Sequence, residues 1–217
     1  MNSRDVVLGR IRSALAADTA APPPVPRDYI RVGTDTPASE AVLEQMIDRL
    51  VDYKALVDRV PADDAAALGD AVAAALAKVG ARSVVVPADL PADLVDAGGR
   101  DGRIVVTDGR PSMLTPDELD RIDAVVTTAQ VAIAISGTIV LDGKTGQGRR
   151  AISLVPDFHL IVLRADQVVS TVPEAIARLD PVAPLTMIAG PSATSDIELE
   201  RVEGVHGPRT LHVLIIG

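Results

Sequence analysis

Residues 127–164 read TTAQVAIAISGTIVLDGKTGQGRRAISLVPDFHLIVLR, and this stretch decides the fold. Its apolar runs, 131–135, 139–141 and 160–163, are short and rich in Val and Ile. Such runs with glycine punctuation read as buried strands joined by tight turns. Ser136-Gly137-Thr138 separates the first two, and a glycine-rich basic turn, 142–150, precedes the third. Loops placed by such strands are where small-molecule sites usually sit.

Outward from this stretch, strands and helices alternate. Helical spacing or capping signals mark 5–16, a helix opened by Thr36-Pro37 and ending near Val51, 62–79, 90–97, a short segment after Thr115-Pro116, and 171–179. Strand-like runs occupy 54–60, 83–86, 103–106, 124–128, 168–169, 184–189 and 210–216, and a further helical turn is expected over 195–202. This order argues for a layered α/β fold with a mostly parallel or mixed sheet flanked by helices, and a β-hairpin portion in the later part. Residues 1–26 form an amphipathic helix and a proline-rich linker, and 27–217 form the α/β domain. The arm packs on its own domain, docks a partner subunit or, with only three arginines to favour it, lies on a membrane surface.

Composition narrows the function. A hydrophobic share of 47% supplies an ample core, and Tyr29, Tyr53 and Phe158 are its only aromatic residues. A net charge of −9 repels phosphate backbones, and so few aromatics leave little for bases to stack on, which argues against nucleic acid. No cysteine is present, so this sequence offers neither disulfides nor thiolate ligands for a metal or cluster. No apolar run approaches the ~20 residues that span a bilayer, and residues 1–17 lack the apolar centre of a secretory signal. The cytoplasm is the expected location.

Gly143-Lys144-Thr145 invites comparison with a phosphate loop. The glycine that such a loop needs falls on Thr138, and the residues between are strand-like, so a nucleoside triphosphatase is rejected. The turn can still hold a carboxylate through Arg149 or Arg150, unless its cations are simply solvated. Ser136, Gly137 and Thr138 are further candidates for substrate contact. A second candidate site is the turn at Gly190-Pro191-Ser192, where Ser192 and Thr194 would donate hydroxyls to an anion. His206, between Gly204 and Gly207, is the candidate base or proton donor, with Asp196 orienting it. His212 reads as a packed strand residue, and His159 begins a strand and could face the same crevice. No metal site is expected, because no acid or histidine pair has ligand spacing on one helix.

The central stretch, together with Gly190-Pro191-Ser192-Ala193-Thr194-Ser195-Asp196-Ile197-Glu198 and Gly204-Val205-His206-Gly207-Pro208, resembles the lactate utilization protein C family, whose unit is the LUD domain. The resemblance implies a fold like the CoA-transferase and ribose-phosphate isomerase (NagB/RpiA-type) group. It also implies a role in oxidising L-lactate to pyruvate, as an assisting subunit that binds a small organic acid. The chain itself is expected to bind no cofactor, and iron–sulfur clusters are expected on partner proteins. Family members often carry an acid where Ser136 stands, so thioester chemistry that needs a carboxylate there is not expected. A stand-alone enzyme on a small carboxylate or acyl-thioester, an organic-acid-sensing domain and a homo-oligomer all stay open.

Overall fold

Continuous apolar runs such as Ser83–Pro87 and Phe158–Arg164 have no polar alternation, the pattern of strands buried on both faces of a parallel sheet. The computed structural model describes residues 2–17, 24–62, 64–194, 202–203 and 207–217. It divides the chain into two units, Met1–Ile30 and Arg31–Gly217. The first contains helix α1 (Ser3–Ala17), on the residues whose spacing predicts a helix.

In the second unit the elements run α2 (Glu40–Asp52), β1 (Leu56–Val60), α3 (Ala65–Lys78), β2 (Ser83–Pro87), α4 (Ala92–Gly98), β3 (Ile104–Asp108), α5 (Pro116–Leu119) and β4 (Ala124–Thr128). They continue with β5 (Val131–Ile133), β6 (Thr138–Leu141), β7 (Phe158–Arg164), β8 (Val168–Val169), α6 (Val172–Ile176), β9 (Thr186–Ile188), β10 (Ala193–Thr194), β11 (Val202–Glu203) and β12 (Thr210–Ile216). Six strands form one sheet in the order β1-β12-β7-β4-β2-β3, and every pairing in it is parallel. A second sheet, β8-β5-β6-β9, is mixed and is built on the antiparallel hairpin β5–β6. The parallel and hairpin portions are therefore two separate sheets.

The two faces of the parallel sheet bury different partners. On one face Val72 and Leu76 of α3 and Leu94 of α4 pack on Val84, Val126, Leu160 and Leu214. The alanines of α3 let it lie close, and Asp64 caps it by accepting from the Ala67 N–H at 2.8 Å. On the other face α2 and the second sheet meet the parallel sheet. Leu43, Met46 and Leu50 of α2 and Ile139 of β6 join Ile161, Val213 and Ile215 there.

Three sequence expectations shift. Helix α2 starts at Glu40 after Ser39, not at Pro37. Ala38 takes a left-handed φ of 62° and donates its N–H to the Val168 carbonyl, which ties the Thr36-Pro37 turn to β8 and delays the helix. Strand β7 starts at Phe158, one residue before the expected His159, because Phe158 and His159 pair with both neighbouring strands. Val202, expected at the end of a helical turn, lies in β11 and pairs antiparallel with Thr194; residues 195–201 lie outside the described residues. Among the described residues no helix is long and apolar enough to cross a membrane.

Candidate anion-binding cleft

The chain leaves β2 toward β3 on one side and then returns to place β4 on the other. In an open parallel sheet this reversal opens a crevice at the carboxyl ends of the strands, the usual place for a ligand. The β2 end carries Asp89, the β3 end Asp108 and the β4 end Thr128. The glycine-rich turn after β6 lies across all three.

That turn is held by a closed set of hydrogen bonds. Thr128 donates its N–H to the Gly146 carbonyl (2.8 Å) and its hydroxyl to the Thr145 carbonyl (3.0 Å). The Gly146 N–H donates to Asp89 Oδ1 (3.1 Å), and the Asp142 N–H donates to Oε1 of buried Gln147 (2.6 Å). Lys144 places Nζ 2.8 Å from Oδ2 of buried Asp142. Gly146 has φ +74°, and a Cβ there would come within 2.7 Å of Thr128 Oγ1. Only glycine fits this backbone without moving Thr128.

Immediately after the loop, Arg149 reaches back to the end of β3. Its Nε donates to Asp108 Oδ2 at 2.7 Å and its Nη2 to Oδ1 at 2.8 Å. Nη2 also donates to the Leu114 carbonyl, and the Leu114 N–H donates to Asp108 Oδ1 at 2.8 Å. Burial alone would push the Asp108 carboxyl up. The Arg149 and Leu114 hydrogen bonds and the guanidinium charge outweigh it, and hold the carboxyl below the ordinary carboxylate range. Asp108 is therefore an anion at neutral pH, and the Arg149 fork is filled by the protein itself.

Arg150 is left facing open space. Its backbone carbonyl accepts from Ser153 Oγ at 2.9 Å, but its guanidinium has no ion pair or hydrogen bond among the described residues. It stands where two clefts meet. The larger, about 690 Å3, spreads toward Ala88, Gly109, Met113 and Pro184. The smaller, about 350 Å3, runs toward His159, Gly190 and Ser192. Arg150, Ser153 and Thr186 line both.

His159, on β7, is 1% exposed and places Nε2 2.8 Å from Thr127 Oγ1 on β4. Burial pushes its pKa down to about 3, so it is neutral at physiological pH. His212 packs edge-on against Phe158 and places Nε2 2.8 Å from Asp58 Oδ2, a strand residue as its sequence position suggests.

The structure thus brings Arg149, Arg150, Gly190 and Ser192 to one connected pair of clefts. Ser136, Gly137 and Thr138 are not brought there. They form the turn at the opposite end of β6, where the Ser136 and Thr138 hydroxyls lie 2.9 Å apart. A Cβ on Gly137 would come within 2.8 Å of Arg49 Cβ on α2, so that turn is closed by helix packing. Gly190 takes φ +81° against Tyr53, and Ser192 donates its N–H to the Pro208 carbonyl at 2.8 Å. Thr194 belongs to β10. Asp196 and His206 lie outside the described residues. Asp108 is a further residue of the cleft, beyond the sequence candidates. Its signal is modest: an acid that closes an apolar strand and precedes Gly109-Arg110-Pro111.

Known proteins resemble this chain over most of its length. The LUD domain profile matches residues 61–216. A lactate utilization protein C of Deinococcus radiodurans is 49% identical over 186 residues, covering 83% of this chain and 82% of its own. A lactate utilization protein C of Bacillus licheniformis is 25% identical over 225 residues, covering 96% and 93%. A crystal structure of a DUF162 family protein from Deinococcus radiodurans superposes with a TM-score of 0.65 at 41% identity. It covers 82% of this chain and 97% of that one.

Proposed function

The chain belongs to the LUD domain family, and on that premise we propose that it serves lactate utilization as an assisting subunit that binds a small carboxylate. Relatives named lactate utilization protein C support the process. One observation carries the ligand class: Arg150 presents an unpaired guanidinium at the junction of two clefts. Its neighbour Arg149 is immobilised by Asp108, which fixes the backbone from which Arg150 projects. A guanidinium in this setting matches the two oxygens of a carboxylate such as that of lactate or pyruvate.

Oxidising lactate to pyruvate removes two electrons and two protons, and the electrons need an acceptor. The sequence has no cysteine to hold a cluster. In this reading iron–sulfur clusters on partner subunits take the electrons, while this chain holds or hands over the acid. The test is growth of a strain lacking the protein on L-lactate as sole carbon source. The wild-type chain is expected to restore growth and Arg150→Ala to fail at equal protein level. Full restoration by Arg150→Ala would remove Arg150 from the function.

A further inference from the structure

The larger cleft carries more free cation than a monocarboxylate can use. Its lining includes three guanidinium groups, Arg110, Arg149 and Arg150, and two carboxylates, Asp89 and Asp108. Arg149 and Asp108 satisfy one another, and Asp89 accepts from the glycine turn. Arg110 and Arg150 remain, each without an ion pair or side-chain hydrogen bond among the described residues. Elsewhere among the described residues some arginines are paired within the protein and others, such as Arg82 and Arg121, are not. Arg49, Arg59, Arg100, Arg103, Arg164 and Arg209 each contact a carboxylate.

The two free arginines come from different loops. Arg110 follows β3 and Arg150 follows the glycine turn, with the Arg149–Asp108 pair bracing one loop against the other. Ala88, Met113 and Pro184 give the cleft apolar wall. At about 690 Å3 it is in the range of pockets that enclose ligands much larger than a three-carbon acid.

We propose that the larger cleft binds one organic molecule carrying two anionic groups, one for Arg110 and one for Arg150, joined by an apolar spacer. This rests on the carboxylate reading of the same cleft and extends it, because lactate has one anionic group and engages one arginine. A dicarboxylate and a phosphorylated carboxylate share the required chemistry.

Calorimetric titration of the full chain tests this. The probes are the dicarboxylates from malonate to adipate, the monocarboxylates of equal carbon number, and 3-phosphoglycerate. At one chain length the dianion is expected to bind with 1:1 stoichiometry and at least about ten-fold tighter than its monoacid, the least that one further charge-assisted contact contributes. Arg110→Ala and Arg150→Ala should each return it to the monoacid affinity, while Arg121→Ala, outside the cleft, should not. Tighter binding of 3-phosphoglycerate than of every dicarboxylate would make one of the two anions a phosphate, and the reverse would make both carboxylates. Two monoacids bound per chain, or no gain from a second anion at any length, would overturn the proposal. Monoacid binding that is lost in Arg150→Ala and indifferent to Arg110→Ala would overturn it and leave the simpler carboxylate reading standing. Failure of every acid to bind would overturn both.

Discussion

Asp108 and Arg149 are 41 residues apart in sequence and meet as a two-pronged pair, with Nε–Oδ2 at 2.7 Å and Nη2–Oδ1 at 2.8 Å. The carboxylate is almost wholly buried and the guanidinium about one-third exposed. The pair joins the end of β3 to the residue that follows the glycine turn, so it sets the shape of the cleft.

Removing the carboxylate should therefore cost stability. Asp108→Ala is expected to lose about 2–3 kcal/mol in urea unfolding. A fully buried pair would lose ~3–5 kcal/mol, and the solvated third of Arg149 reduces the penalty. Asp108→Leu combined with Arg149→Met should regain most of the loss, because no uncompensated charge is left. An Asp108→Ala variant as stable as the wild type would show that the pair does not brace the fold.

His159 makes the stability pH-dependent in a defined window. The folded state keeps the imidazole neutral down to about pH 3, whereas the unfolded chain protonates it near ~6.5. Between these values the unfolded state binds the extra proton, so stability falls as pH falls, by about 1.4 kcal/mol per unit. From pH 7 to pH 5 the wild type should lose about 2 kcal/mol more than His159→Gln, whose amide can keep the contact to Thr127. Equal losses in the two proteins would mean that His159 is not shielded from protons in the fold.

The glycine turn is tested by comparing two glycines of similar φ. Gly80 has φ +67° and nothing within 4 Å of an added Cβ, whereas Gly146 has φ +74° and Thr128 at 2.7 Å. Gly80→Ala should lose only the left-handed backbone penalty of about 1–2 kcal/mol. Gly146→Ala should lose at least about 1 kcal/mol more through overpacking, and only this variant should weaken carboxylate binding. Equal stabilities and affinities for the two variants would mean that the turn tolerates a side chain and does not shape the cleft.

Much of the architecture is legible along the chain. Runs such as 83–86 and 210–216 are apolar without alternation, which fits strands covered on both faces, and the alanine-rich helix α3 falls between two strands, β1 and β2. The turn over 142–150 also stands out through its glycines and cations. What the linear order hides is adjacency. Arg149 reads as a free fork, yet the strand order brings the β3 end beneath it and Asp108 fills that fork. Ser136-Gly137-Thr138 reads as part of the same site because it is close in sequence. The four residues of β6 carry the chain away from that turn, and α2 packs against it. Local periodicity encodes which residues are buried, but long-range pairing decides which loops share a crevice.

The most direct test of the account is a calorimetric titration of L-lactate and pyruvate into the wild-type chain and into Arg150→Ala. The account predicts saturable binding of at least one acid by the wild type, and a loss of about ten-fold or more in Arg150→Ala with the fold intact by circular dichroism. Equal affinity in both proteins, or no binding to the wild type, would contradict it.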